Sequence, residues 1–470
     1  MWLSSRFRFV NRRRGRQAPT FRPLLEVLEG RDLPSTLTVL NNLDSGAGSL
    51  RDTIAHARDA DTIVFAPSLS GQTIALTSDD LVINKSLDIE GPGADKLAVS
   101  GSDAVRVFDI SEGFTVTIAG LTITHGRSRG GQTTAGGGGI LNAGSTLNLA
   151  HDLFSYNVDL GSSSGEQGGA IGNFHKDGIL TVTDSTFIGN RADGTVNQGS
   201  FAEGGAIYNS PEGSTATVIR CTFVGNQALA GNGAVATNGG NFAGEANGGA
   251  LHNEGASTLT VRDSTFIGNQ AIGGSGGSAQ KNASGYVLDT AFGGAIADDD
   301  SGALVVSGCT FSYNRVIGGS NSTANATGQG IVGFGAGGAL GLMGPATVTN
   351  SNFDHNQALG GSGNSGGNSV TALGRGVGGA IQNTAFGASQ GTLTVSACTF
   401  TNNQAIGGAG NAGAGFVNEG LGGGLDNTRG ATATVSIAAA APVGARVLQV
   451  LTPTSASTAI GTTGNRFAVQ

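Results

Sequence analysis

Two acidic clusters are the residues whose type and spacing could most readily do chemistry. Asp298-Asp299-Asp300 and Asp79-Asp80 set carboxylates side by side in a chain with only 33 acids and 25 Lys and Arg among 470 residues. Paired carboxylates hydrolyse glycosidic bonds when held roughly 5–10 Å apart with one of them kept protonated. Clustered acids also bind calcium through several oxygen ligands. The simpler reading of Asp298–Asp300 is a solvated turn, and the sequence favours it over a calcium ligand or a catalytic group.

Other candidates are thinner. The six histidines (His56, His125, His151, His175, His252 and His355) are dispersed without metal-ligand spacing. Cys221, Cys309 and Cys398 each stand two before a recurring Phe, where other copies have Ser185, Ser264 and Ser351. Strands spaced about 4.8 Å apart would separate these cysteines by roughly 9–10 Å, beyond the Cα limit of about 7 Å for a disulfide. They read as small buried residues. Aromatics stand in the glycine-rich loops: Phe201, Phe242, Tyr286 with Phe292, Phe334 and Phe416. They form either a row of stacking platforms for sugar rings or, more simply, pins that hold each loop to the body. No catalytic set, cofactor site or metal site is assigned from the sequence.

A repeat positions all of these. Gly168-Gly169-Ala170-Ile171 recurs at Gly204, Gly248, Gly293, Gly337 and Gly378, with Gly137-Gly138-Gly139-Ile140 as a variant before them. Phe154, Phe187, Phe223, Phe266, Phe311, Phe353 and Phe400 follow in turn, each with Asn three residues later. Fixed-period self-similarity means a solenoid, in which each unit buries its apolar face against its neighbours. In Leu180-Thr181-Val182-Thr183 the alternation is that of a half-buried strand, and after Asp184 it slips so that Ser185 and Phe187 turn inward. That slip predicts a bend between two short strands. Ile171 marks a third strand after a glycine corner. The fold class is all-β: a right-handed parallel β-helix, a single-stranded solenoid with three short strands per coil and a short N-terminal capping helix. Its Phe residues should stack along the interior and its Asn residues (Asn190, Asn226, Asn269, Asn314) should form a hydrogen-bonded ladder.

Charge and composition limit the partners. Residues 1–35 hold eight Arg and three acids, a net of +5, so the rest carries −13 of a chain total of −8. A body of that sign with four Lys is a poor match for nucleic-acid backbones. No stretch supplies the roughly 18 apolar residues of a membrane-spanning helix. Glycine supplies 83 residues without a Gly-X-Y period, which excludes collagen.

The chain divides into four parts. Residues 1–35 read as a basic, disordered targeting or sorting segment without the apolar core of a standard signal peptide. Residues 36–126 read as an N-terminal cap and first coils, with Ser49 as N-cap of a helix that turns Leu50, Ile54 and Ala57 to one side. Residues 127–435 carry the repeats, with glycine-rich loops leaving at one corner to build a ridge. Residues 436–470 form a tail in which Ala445–Leu451 reads as a weak cap on the last rung and the rest from Thr452 as mobile.

The paired Gly-Gly-Ala-Ile/Leu and Phe-x-x-Asn motifs, over residues 137 to about 427, resemble the repeat of chlamydial polymorphic outer-membrane proteins and of many bacterial right-handed β-helix proteins. That resemblance implies a pectate-lyase-like coil in an exported protein. Leu25-Glu26-Val27-Leu28-Glu29-Gly30-Arg31-Asp32-Leu33 resembles the motif near the start of many large planctomycete surface proteins, although Pro34 departs from it, and implies a cell-envelope destination. Gly48–Arg51 with Asp61–Phe65 resembles an entry module common before such repeats. The membrane β-barrel that ends many relatives is missing after Leu425, so autotransport is not expected. Polygalacturonases on this fold also show Gly-His-Gly and Arg-x-Lys, and neither occurs here. The leading expectation is therefore a non-enzymatic extracellular or cell-envelope module, structural or adhesion-like, whose partners are polysaccharide or envelope components. The alternative is a polysaccharide lyase or glycoside hydrolase on the same fold.

Overall fold

The computed structural model describes residues 34–128, 136–160, 165–176, 178–238, 242–299, 302–384, 391–428, 431–436, 448–451 and 466–469. The expected targeting segment (except residues 34 and 35) and its Leu-Glu motif lie outside them, as do Asp300 and most of the tail.

Three stacked walls of parallel strands enclose one apolar core. In the coil that follows Gly169, Ile171–Phe174 belongs to one wall, Ile179–Thr183 to the second and Thr186–Ile188 to the third. Each strand pairs in register with its equivalent one coil on: Ile171 with Ile207, Val182 with Val218, Phe187 with Phe223. This is the expected right-handed β-helix. The connection from the third wall back to the first adds two short ladders, Arg191–Asp193 and Ala202–Glu203 in this coil.

The bends are built from backbone that most residues avoid. Asp184, Arg220, Asp263 and Asn350 all hold φ near +50° between the second and third walls, where the alternation slips. At the corner into the first wall Gly204 has φ +62°, and a Cβ on Gly205 would lie 2.2 Å from the carbonyl oxygen of Gly249. Only glycine meets both demands.

Inside, the seven Phe rings from Phe154 to Phe400 stack at centroid spacings of 4.7–4.9 Å and within 9° of parallel. The Asn ladder runs beside them. Asn226 Nδ2 donates to Asn269 Oδ1 (2.9 Å) and to the Phe187 carbonyl (3.1 Å), while its backbone N–H donates to the same Asn269 oxygen (3.0 Å). A second ladder stands on the first wall: Asn142 to Asn173 (2.7 Å), Asn173 to Asn209 (2.8 Å) and Asn209 to Asn253 (2.8 Å).

The ends are covered. The helix Leu50–His56 has the expected N-cap, the Asp52 N–H donating to Ser49 Oγ at 3.2 Å, and Leu50, Ile54 and Ala57 are buried in the core. At the other end the tail reading needs correction. Arg466–Val469, not 445–451, pairs antiparallel with the final rung strand Leu425–Thr428, and Leu448–Leu451 pairs one strand further out.

Removing one ring from mid-stack should show what the interior contributes. Phe266→Ala should cost about 3–5 kcal/mol, the range for fully buried aromatics. Phe242→Ala, at a half-buried loop position, should cost far less. Denaturant midpoints of the two variants check this, and equal losses would contradict the assignment.

Candidate functional site

The glycine-rich loops do not hang free. They form two further parallel ladders, one running from Val235–Asn238 through Ser278–Ser284, the other from Phe242–Ala243 through Tyr286–Leu288, Gly330–Val332 and Val370–Leu373. A second small core of Ala236, Ala283, Leu288, Val332, Val370 and Leu373 lies between them. Tyr286 and Phe292 are buried, and Tyr286 lies over Gly330 on the next coil, where any Cβ would meet the ring at 2.1 Å. The pin reading holds for these two. Only Phe416 is clearly exposed, beneath the Arg375 guanidinium at 5.1 Å, so a row of sugar platforms is not formed.

Asp298 is likewise not a solvated turn. It is fully buried at the Asn position of the first-wall ladder, where Asn253 Nδ2 donates to its Oδ1 at 2.7 Å. Burial pushes its carboxyl up to about 7, and a carboxyl that keeps its proton is the closest substitute for an amide in that ladder. Asp79 and Asp80 line a depression at the N-terminal cap with Arg51 and Lys85. Arg51 donates to the carbonyls of Asp79 and Asp80 and to Asp44, and Lys85 donates to the last carbonyls of the helix at Ile54 and Ala57. Arg106 binds the carbonyls of Gly136 and Gly137 and approaches Asp80 and Asp109. The cations beside this acid pair therefore staple the cap.

The convergent group lies elsewhere, on the outer side of the glycine corner. The middle residue of each first-wall strand points outward, which aligns Gly172, Tyr208, His252 and Ala297 in one column. Before the glycine pair a second outward column holds Gln167, Glu203 and Asn247. His252 sits at the centre and is the only one of the six histidines that is buried. Its Nε2 lies 3.1 Å from Asp299 Oδ2. Tyr208 donates its hydroxyl to Glu254 and is packed between the rings of Phe174 (5.2 Å) and His252 (5.8 Å). Gln167 donates to Glu203 at 3.0 Å. A ligand atom from each of Glu203, His252 and Glu254 lies within 4.8 Å of the other two.

Electrostatics tie the group together. Burial would push His252 down, but Asp299, then Glu203 and Glu254, hold it up at about 10, so it is an imidazolium at neutral pH. Burial and the neighbouring Glu254 push Glu203 up to about 7, against the pull of His252. Glu203 can thus keep its proton up to about pH 7 beside a second carboxyl. Sequence reading missed the group because its members come from four coils. The signal was present in the two outward columns, at the residue before each Gly-Gly and the residue after each Ala-Ile/Leu. Two cysteines agree with their reading: Cys221 and Cys309 are buried and unpaired, and burial pushes both thiols up to about 11, whereas Cys398 is half-buried.

No family model matches the chain, and no curated protein does. Two solved structures share 11–13% identity with it. A mannuronic acid-specific polysaccharide family 6 lyase from human gut microbiota has a TM-score of 0.33, covering 78% of this chain and 83% of that one, at 11% identity. ORF18 of Geobacillus virus E2 has a TM-score of 0.27, covering 80% and 61%, at 13% identity. Among the described residues no helix is long and apolar enough to cross a membrane.

Two further buried carboxyls set a pH response. Burial pushes Asp152 and Glu166 each up to about 8, although the Leu121 N–H and the Asn197 amide respectively donate to them. Both groups keep their proton in the folded chain over a range where the unfolded chain has lost it. The folded state then binds more protons between about pH 4 and 8, and its stability falls as pH rises through that window. Thermal melts should show a lower midpoint at about pH 8.5 than at about pH 5.5, and Asp152→Asn should flatten the slope. A midpoint that rises with pH would contradict the burial assigned to these groups.

Proposed function

We propose that this protein is a non-enzymatic extracellular or cell-envelope β-helix, a structural or adhesion-like module that contacts polysaccharide or other envelope components. One observation carries the reading: at the Asp79-Asp80 depression, the cations that a lyase would use to take a proton are bound to backbone carbonyls. The ridge supports it, because ladders and a small core make the loops a stiff outer layer. The export destination rests on the repeat and Leu-Glu motif resemblances.

A second reading is favoured by the corner group. Glu203, protonated up to about pH 7, stands beside Glu254, which the Tyr208 hydroxyl engages. An acid and a carboxylate roughly 5 Å apart is the arrangement of a retaining glycoside hydrolase. On this reading Glu203 would protonate the leaving oxygen and Glu254 would attack the anomeric carbon.

A single screen separates the two. Purified full-length protein is incubated with polyuronides and neutral polysaccharides, with and without calcium, and assayed for retention on the polymer and for new reducing ends or unsaturated products. Retention without cleavage is expected. Cleavage abolished by Glu203→Gln or Glu254→Gln would overturn the non-enzymatic reading and establish the second.

A further inference from the structure

The corner group contains an atom that its protein surroundings leave unused. His252 has a fully buried side chain, and while Nε2 faces Asp299 at 3.1 Å, Nδ1 is buried with no hydrogen-bond partner. A buried polar atom without a partner carries a desolvation penalty unless something in the folded protein engages it. Beside the ring stand Glu203 and Glu254, both half-buried and so open on one side to solvent. We propose that Glu203, His252 and Glu254 bind one divalent transition cation of the zinc class, through His252 Nδ1 and one carboxylate oxygen of each glutamate.

The donor set decides the class of ion. Imidazole nitrogen selects zinc, nickel or copper, whereas calcium and magnesium take six or more oxygens. With Asp299 accepting a hydrogen bond from Nε2–H, the proton that an incoming ion displaces from the imidazolium is the one on Nδ1, which frees that lone pair for the metal. A carboxylate in that role behind a ligating histidine is a recurrent support for zinc. Tyr208 holds Glu254 and Gln167 holds Glu203 by hydrogen bonds, so both carboxylates are oriented before an ion arrives. Three carboxylates around one ring leave the group with excess negative charge, which a dication neutralises. Tetrahedral ligands at zinc lie about 3.4 Å from one another, so the present separations of up to 4.8 Å close by about 1 Å or so on binding. Terminal rotations of two glutamates supply that movement. An ion held this way occupies both carboxylates, so the site accords with the non-enzymatic reading and excludes the glycosidase one.

The test uses untagged full-length protein stripped with chelator. Isothermal titration with zinc should give one ion per chain, and zinc should raise the melting temperature while calcium does not. Cobalt should give the visible absorption of a low-coordinate site. His252→Gln and Glu254→Gln should each weaken zinc binding by at least about 100-fold, and Asp299→Asn by about 10–100-fold as a positioning residue. Circular dichroism checks that each variant keeps its strand content, and Glu203→Gln replaces any that does not. No zinc binding by the folded wild type, undiminished binding by His252→Gln, or calcium bound as tightly as zinc would each overturn the proposal.

Discussion

Everything in this molecule depends on a side-chain amide that bonds to its own copy one coil away. An Asn carries a donor and an acceptor, so identical residues stacked in register satisfy each other indefinitely along the axis. Here each amide also caps the Phe carbonyl one coil back and receives the backbone N–H of the preceding Asn. Each bond contributes only about 1 kcal/mol net, but losing one partner leaves a buried amide unsatisfied at a cost of about 1–3 kcal/mol. The penalty falls on any slip of register. A shift by one residue would also turn the stacked Phe rings outward, so the hydrogen-bonded and apolar ladders enforce the same alignment.

That alignment frees other positions. Because register is held inside, loop length between the third wall and the glycine corner can vary without disturbing the core. The inserted residues then repeat the solution on a smaller scale, with Ala236, Ala279 and Ala324 stacked in register beside a core of their own. The outward columns are the other free positions. Their residues answer to no core neighbour, which is how Tyr208, His252 and Glu203 can gather at one corner, where Glu254 and Asp299 join them from just beyond the strand ends.

The fold was legible because its constraints repeat. A Phe, an Asn and a Gly-Gly that recur seven times have one packing solution, and Ser49 and Leu50 declared the capping helix by ordinary N-cap chemistry. The site was not legible for the converse reason. Glu203, His252 and Asp299 occur once each, more than 40 residues apart, and become neighbours only when coils are laid in register. Asp298 misled because three adjacent acids read as a turn, whereas it stands buried at a ladder position and accepts the Asn253 amide there as an Asn would. Loop aromatics misled in part because a glycine-rich stretch reads as loose, while Gly330 is small in order to receive the Tyr286 ring.

In-register parallel stacking is the claim on which the corner group and the ladders both stand, and disulfide trapping tests it directly. Thr217 and Thr260 are paired neighbours on the outer face of the second wall, and Arg262 lies two residues further along the same strand. Paired Cα atoms about 4.8 Å apart suit a disulfide, while the diagonal of about 8 Å does not. Mild oxidation should therefore close Thr217→Cys with Thr260→Cys, and leave Thr217→Cys with Arg262→Cys reduced, as read by a mobility shift and by mass. Closure of the diagonal pair with the level pair left open would contradict the register, and with it the assembly of the site.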